Sequence, residues 1–239
     1  MATLTSIDDV LDVIRQAAAP GRRVVVGITG PPGVGKSTVA ELVVGLLGTD
    51  RPPGGTPELP APGKTPELPA PDETPKASAP ALAALLPMDG FHLPQARLTE
   101  LGRRDRMGAP DTFDVDGFVS ALGRLRADDG EVLAPGFERE VEEATPDSVV
   151  LPAAARIIVV EGNYLLLETG GWSAVRELLD LSLFVTLGRG IRQSRLIERH
   201  RRFGKTAEAA SAWTLGPDEA NARLIEATAV HADHVVALG

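Results

Sequence analysis

The chain has 239 residues, 43% of them hydrophobic, and a formal net charge of −9. That length suits one α/β domain carrying an insertion, and the acidic excess argues against nucleic acid as a partner, because binding phosphate backbones needs a basic surface. With no cysteine in the chain, disulfides, thiolate chemistry and Cys-ligated zinc are excluded, which fits a cytoplasmic protein.

The N-terminus, MATLTSIDDVLDVI, is acidic and amphipathic, without the basic and apolar regions of a signal peptide. No apolar run approaches the ~20 residues that a membrane helix needs, so no membrane partner is expected. Ser6 is placed to cap a helix running to about Ala19, with Asp8 and Asp9 in the first turn, where the helix dipole favours acids. Val10, Leu11, Val13 and Ile14 form its apolar side, and Pro20-Gly21 stops it. Arg22 to Thr29 reads as a strand buried on both faces, because its apolar run does not alternate. A Gly-rich turn follows, then a helix from about Lys36 to Leu47.

Between Thr49 and Pro80 the character changes. TPELPAP occurs at Thr56–Pro62 and again at Thr65–Pro71, and the stretch holds half of the 20 prolines. Proline blocks helix and ladder hydrogen bonds, so residues 49–80 read as a disordered or polyproline-like insertion in a single domain spanning 1–239. Two roles stay open for it: a tolerated surface excursion, or a docking segment for a partner.

Further on, a short strand ends around Met88, and Asp116 to Arg126 reads as a helix. Arg156 to Val160 is a buried strand ending at Glu161, Ser173 to Leu179 a helix, and Leu181 to Leu187 another strand. Gly190 to Phe203 forms an Arg-rich helix, Asp218 to Val230 another helix, and His234 to Leu238 a last strand. Alternating strands and helices imply a doubly wound parallel sheet with helices on both faces. Ligands of such sheets bind beyond the strand C-termini, where Asp89, Glu161 and the Gly-rich turn all fall.

Gly30-Pro31-Pro32-Gly33-Val34-Gly35-Lys36-Ser37 fits the phosphate-binding pattern GxxxxGK[ST], between a buried strand and a helix. Glycines let backbone N–H groups wrap a phosphate, and the helix N-terminus adds positive potential. Lys36 is placed to reach the β- and γ-phosphates and Ser37 to ligate Mg²⁺. Met88-Asp89-Gly90-Phe91-His92 puts a carboxylate at a strand end, where a kinase needs one to orient the acceptor hydroxyl and take its proton. The competing reading of Asp89 is a turn or helix-cap residue. Glu161 repeats the pattern of apolar strand, carboxylate and glycine. It is placed to hold Mg²⁺ or orient the acceptor, with a capping acid as the alternative.

The loop, Asp89–His92, Ala109–Asp114 and Glu161–Leu167 together resemble the phosphoribulokinase/uridine kinase family of P-loop kinases, which includes bacterial pantothenate kinases. Within it the likeness points to a bacterial branch of nucleoside or sugar kinases of the fructose-transport-system type. The resemblance covers nearly the whole chain except residues 49–80, and it implies a P-loop α/β fold with an Arg-rich lid helix. It further implies ATP and Mg²⁺ as cofactors. Gly30 to Thr38 would hold the nucleotide, with Thr38 near the α-phosphate, and Ser37 and Glu161 would hold the metal. Asp89 is the implied catalytic base. Phe91, His92, Asp111, Phe113, Asp114 and Tyr164 would line the acceptor pocket, and Asn221 would lie near the nucleotide. The family often carries a Tyr-Asp pair after a proline in the next loop, whereas this chain has Phe137 and Glu138 after Pro135-Gly136.

Arg192, Arg195, Arg199 and Arg202 share one face of the Arg-rich helix. In the family this helix is a lid over the phosphates, which makes Arg195 and Arg199 the implied catalytic arginines beside Lys36, Asp89 and Glu161. The alternative is a solvated face paired with acids such as Glu198. His231 and His234 read as surface or packing residues. The expected activity is ATP-dependent phosphorylation of a small-molecule hydroxyl on a nucleoside, a pantothenate-like compound or a sugar. A regulatory nucleotide switch and a catalytically weak binding protein are the rivals, although no guanine-reading NKxD motif is present. Oligomeric state, a homodimer included, stays open.

Overall fold

The computed structural model describes residues 2–18, 21–48, 82–139 and 141–238. The Pro-rich segment assigned to 49–80 lies outside them. A three-residue strand, β1 (Ala2–Leu4), leads into helix α1 (Ile7–Ala17). Its start is a reciprocal cap: the Ser6 hydroxyl accepts from the Asp9 amide at 3.1 Å and the Asp9 carboxylate accepts from the Ser6 amide at 3.2 Å. Strand β2 (Val24–Thr29), helix α2 (Lys36–Leu47) and strand β3 (Ala83–Pro87) follow, then a 3₁₀ turn over Met88–Phe91. Next come α3 (Gln95–Glu100), α4 (Val115–Arg126), β4 (Val132–Glu138) and β5 (Glu143–Leu151). The chain continues through β6 (Ile157–Glu161), α5 (Ser173–Glu177), β7 (Leu181–Thr186) and α6 (Arg189–Arg202). It closes with α7 (Ala207–Trp213), a π-helical turn over Thr214–Asp218, α8 (Glu219–Glu226) and β8 (His234–Ala237).

Six strands form a parallel sheet in the order β1-β8-β7-β2-β6-β3. Successive side chains of β2 and β6 point to opposite faces, and both faces are apolar. Val24, Val26, Ile28, Ile157 and Val159 pack with α1 and α2, while Val25, Ile158 and Val160 pack with α4 and α5. This is why these strands read as unbroken apolar runs. The sheet therefore delivers the turns after β2, β3 and β6 to one edge, side by side. Among the described residues no helix is long and apolar enough to cross a membrane.

Three features depart from the sequence reading. Strand β2 begins at Val24 because Arg23 is buried at the opposite end of the sheet, where its guanidinium donates to the carbonyls of Ala155, Gly130, Pro152 and Ala153. The helix expected over Asp218–Val230 is broken into the π turn, α8 and a 3₁₀ turn over Ala227–His231. Pro217 sits inside the π turn and has no N–H to continue an α ladder. Finally, β4 and β5 form an antiparallel hairpin that periodicity did not reveal. Its register shifts between Ala134 and Gly136, at Pro135, so no clean alternation survives.

Candidate active site

The turn after β2 and the first turn of α2 form the floor of a cleft of about 590 Å³ at the C-terminal edge of the sheet. Gly33 is left-handed (φ +83°), and a Cβ there would stand 2.7 Å from Leu196 Cγ and 3.0 Å from the Arg192 carbonyl oxygen. Glycine is required because helix α6 packs its backbone directly onto the loop. Lys36 is 7% exposed; its Nζ donates to the Pro31 carbonyl at 3.1 Å and lies 4.0 Å from Glu161 Oε1. Burial lowers its pKa to about 8, against the opposing pull of the Glu161 and Asp89 charges. Burial raises the Glu161 carboxyl above its ordinary value, and the Lys36 charge offsets part of that rise. The Ser37 hydroxyl donates to Glu161 Oε2 at 3.2 Å.

Among the described residues no group of three or more His, Asp or Glu side chains gathers to hold a metal. The adjacent hydroxyl and carboxylate of Ser37 and Glu161 are nonetheless the hard oxygen donors that suit Mg²⁺, an ion that keeps waters and substrate phosphates as its remaining ligands.

Asp89 sits in the 3₁₀ turn after β3, and its Oδ2 accepts from Arg139 Nη2 at 3.0 Å. The His92 ring bonds through Nδ1 to the Asp89 carbonyl at 2.9 Å. His92 lies against Phe113 (centroids 4.0 Å apart) and Phe137 (4.8 Å). Burial lowers its pKa, so the neutral ring is favoured. Gly90 has a reason beyond chain flexibility: a Cβ there would stand 1.9 Å from the Pro135 carbonyl oxygen. The hairpin thus lies directly on the Asp89 turn.

Helix α6 forms the facing wall, and its four spaced arginines have separate fates. Arg192 is buried, donating to Glu219 at 2.6 Å and to the Pro32 carbonyl at 3.4 Å. Arg195 reaches over the loop, with Nη1 3.5 Å from where a Cβ on Gly35 would stand. Arg199 lines the cleft. Arg202 is exposed beside Glu198 at 3.7 Å. The π turn adds Asp218, bonded to His200 at 2.7 Å, and Lys205 stands 4.6 Å over the Trp213 ring. All four of these residues face the cleft.

Comparison with known proteins gives this arrangement its family. No family model matches the chain. An uncharacterized protein of Escherichia coli (strain K12), YggC, is 32% identical over 206 residues, covering 86% of this chain and 74% of that protein. The fold agrees as well. A crystal structure from Silicibacter sp. TM1040, provisionally described as a fructose transport system kinase, superposes with a TM-score of 0.79 at 28% identity over 97% of this chain and 99% of that one. A provisionally named uridine kinase of Schizosaccharomyces pombe (strain 972 / ATCC 24843) is 26% identical over 98% of this chain and 91% of its own length. The chain belongs to the phosphoribulokinase/uridine kinase family of P-loop kinases.

Within this kinase-family fold, the residues singled out in the sequence divide into four groups. Pro32, Gly33, Lys36, Ser37, Asp89, His92, Phe113, Glu161, Arg199 and Asn221 line the one cleft. Gly30, Pro31, Gly35 and Thr38 belong to the loop and helix start beneath it, whereas the Val34 side chain is in the core under α2. Asp111 and Asp114 face a neighbouring pocket of about 550 Å³ that shares the Phe113 wall. There Asp111 pairs with Arg103 and Arg106, and Asp114 caps α4 by accepting from the Gly117 amide at 3.0 Å. Phe91 and Tyr164 do not reach the cleft. Phe91 packs edge-on against Phe118, and Tyr164 is fully buried with its hydroxyl donating to the Gly108 carbonyl. Phe91, one residue after Gly90, and Tyr164, two residues after Gly162, are both turned inward, while Asn163 between Gly162 and Tyr164 lines the cleft; the motif pattern does not disclose this difference.

Several cleft residues of the kinase fold carry no sequence signal of their own. Arg139 is 50 residues from Asp89, and Arg104, Trp213 and Asp218 come from segments with no recognisable motif. Near Arg139 the sequence signals only a departure from the family pattern at Phe137-Glu138, not a contact with Asp89.

Proposed function

We propose that the protein transfers the γ-phosphoryl of Mg-ATP to a hydroxyl of a small metabolite, within one P-loop kinase domain spanning 1–239. The observation that carries the proposal is the convergence of Lys36, the Ser37–Glu161 pair and Asp89 in one cleft, with Arg195 and Arg199 on the facing wall. Backbone N–H groups of residues 30–38 and the start of α2 cradle the phosphates. Lys36 trades its Pro31 carbonyl for phosphate oxygens. When bound, Mg²⁺ neutralises charge on those oxygens, held by Ser37 and Glu161. Asp89 orients the acceptor hydroxyl and takes its proton as the new O–P bond forms and the bond to the leaving β-phosphate oxygen breaks. Arg199 faces the transferring group, and Arg195 lies over the loop.

Relatives include proteins named uridine kinase and pantothenate kinase, and the structural neighbour carries a sugar-transport description. A nucleoside, a pantothenate-like compound and a sugar are accordingly the acceptor classes proposed. His92, Phe113 and Phe137 offer such a compound an aromatic wall beside Asp89. ATP consumption measured against a panel of these compounds tests the reading. Strong stimulation by one compound supports it, and turnover that rises only with a protein partner sinks it. On the stimulating compound, Asp89→Asn should lower turnover by roughly 10²–10⁴-fold, the usual worth of a positioned general base.

A further inference from the structure

Asp89 is not free in this structure, because its carboxylate is held by an arginine that no motif predicts. Arg139 stands at the end of strand β4, and three contacts fix that strand on the Asp89 turn: Arg139 Nη2 to Asp89 Oδ2 at 3.0 Å, Phe137 against His92 at 4.8 Å, and the Pro135 carbonyl where a Gly90 Cβ would be. The charge of Arg139 bears on the rest of the centre too, since it disfavours the charged forms of both Lys36 and Arg199. The half-exposed guanidinium lines the same cleft as Lys36, Glu161 and Arg199.

We propose that Arg139 is a latch on Asp89: without an acceptor it occupies the carboxylate and keeps it from activating water, and an incoming hydroxyl takes its place. The inference rests on the kinase reading of the cleft and adds a positioning residue to it. Two properties distinguish a latch from a structural brace. The side chains are 46% and 29% exposed, so the pair is open to water and weakly held. A bound acceptor that hydrogen-bonds Asp89 can displace it. The latch also acts where leakage would start. For hydrolysis, a water O–P bond must form as the bond to the β-phosphate oxygen breaks, with the water proton passing to Asp89. With Oδ2 already accepting from the Arg139 guanidinium, that oxygen is occupied and is not offered to a water.

Acceptor-free hydrolysis of Mg-ATP tests the latch, using the full chain and no other compound. R139M should raise the rate by about five- to fiftyfold, a fraction of the ~10²–10⁴ that general-base catalysis supplies. The double variant R139M/D89N should lose that gain, and R139K, which keeps a cation at the position, should show less than half of it. A rate at or below wild type in R139M with ATP affinity retained overturns the latch. So does a gain that survives in the double variant. R139Q is read in the same way, so a folding failure of one variant leaves the other to decide. The two proposals fail separately. If no compound in the acceptor panel stimulates ATP use, the kinase reading falls. If one does but R139M shows no gain, only the latch falls.

Discussion

Lys36 is a lysine that burial has brought to a pKa of about 8 before any nucleotide binds. A bound triphosphate supplies the negative charge that raises it again, so binding is linked to proton uptake. The sign follows directly. At pH 8 the free side chain is about half protonated and the bound one fully so, giving an uptake of about half a proton per nucleotide, and less at pH 7. Above pH 8 the affinity for ATP should fall as the free lysine loses its charge. Isothermal titration in two buffers of different ionisation enthalpy measures the uptake. Identical apparent enthalpies at pH 8 would contradict it, and Lys36→Met should abolish the difference along with most of the affinity. At this scale the sequence was legible where one short segment holds the whole arrangement, as in Gly30–Ser37. It was silent where the partner is remote. Nothing near Arg139 points to a carboxylate 50 residues earlier.

Helix α6 shows how one face of a helix divides its work. Its first half is fixed: Glu219 of α8, only 4% exposed, accepts from Arg192 at 2.6 Å and Gln193 at 3.1 Å and forms an ion pair with Arg189 at 2.7 Å. Removing one partner of such a buried cluster leaves a charge without compensation, so Glu219→Ala should cost about 3–5 kcal/mol of stability in urea denaturation. The exposed pair between Arg202 and Glu198 is the control, and Glu198→Ala should change stability by less than about 1 kcal/mol. The hairpin makes a parallel case. Gly90→Ala places a methyl group where the Pro135 carbonyl lies, which should cost about 1–3 kcal/mol through displaced packing and loosen the Asp89 turn. The residue types of α6 revealed a cationic helix, yet its mean face could not tell a buried brace from a cleft residue. That distinction depends on what packs opposite, and α8 supplies it.

Across the described residues, the parallel sheet and the two apolar layers hold the three strand-end turns together. The ties from Arg192 to Pro32 and Glu219 bind the start of α6 to the phosphate loop. On the proposed kinase reading, closure over a substrate would involve the end of α6 and the turn leading into α7, where Phe203 is exposed and Lys205 rests on Trp213. Hydrogen exchange should show amides of 192–197 protected close to the limit of global unfolding, and those of 203–209 exchanging through local opening until Mg-ATP slows them. Equal protection of both stretches without nucleotide would refute that division.

The sequence by itself determined the parallel α/β sheet, the loop at Gly30–Ser37 and the strand-end carboxylates Asp89 and Glu161. Those features are written in local periodicity and in contiguous motifs, and buried strands cannot conceal an apolar run. Tertiary structure alone decided the rest. Phe91 and Tyr164 went to the core, Asp111 and Asp114 to a neighbouring pocket, and Arg192 became a brace. Arg139 came to Asp89 because a bulged hairpin folds back over Gly90. Each of these outcomes rests on which distant surface a side chain meets, and spacing along the chain carries no record of that.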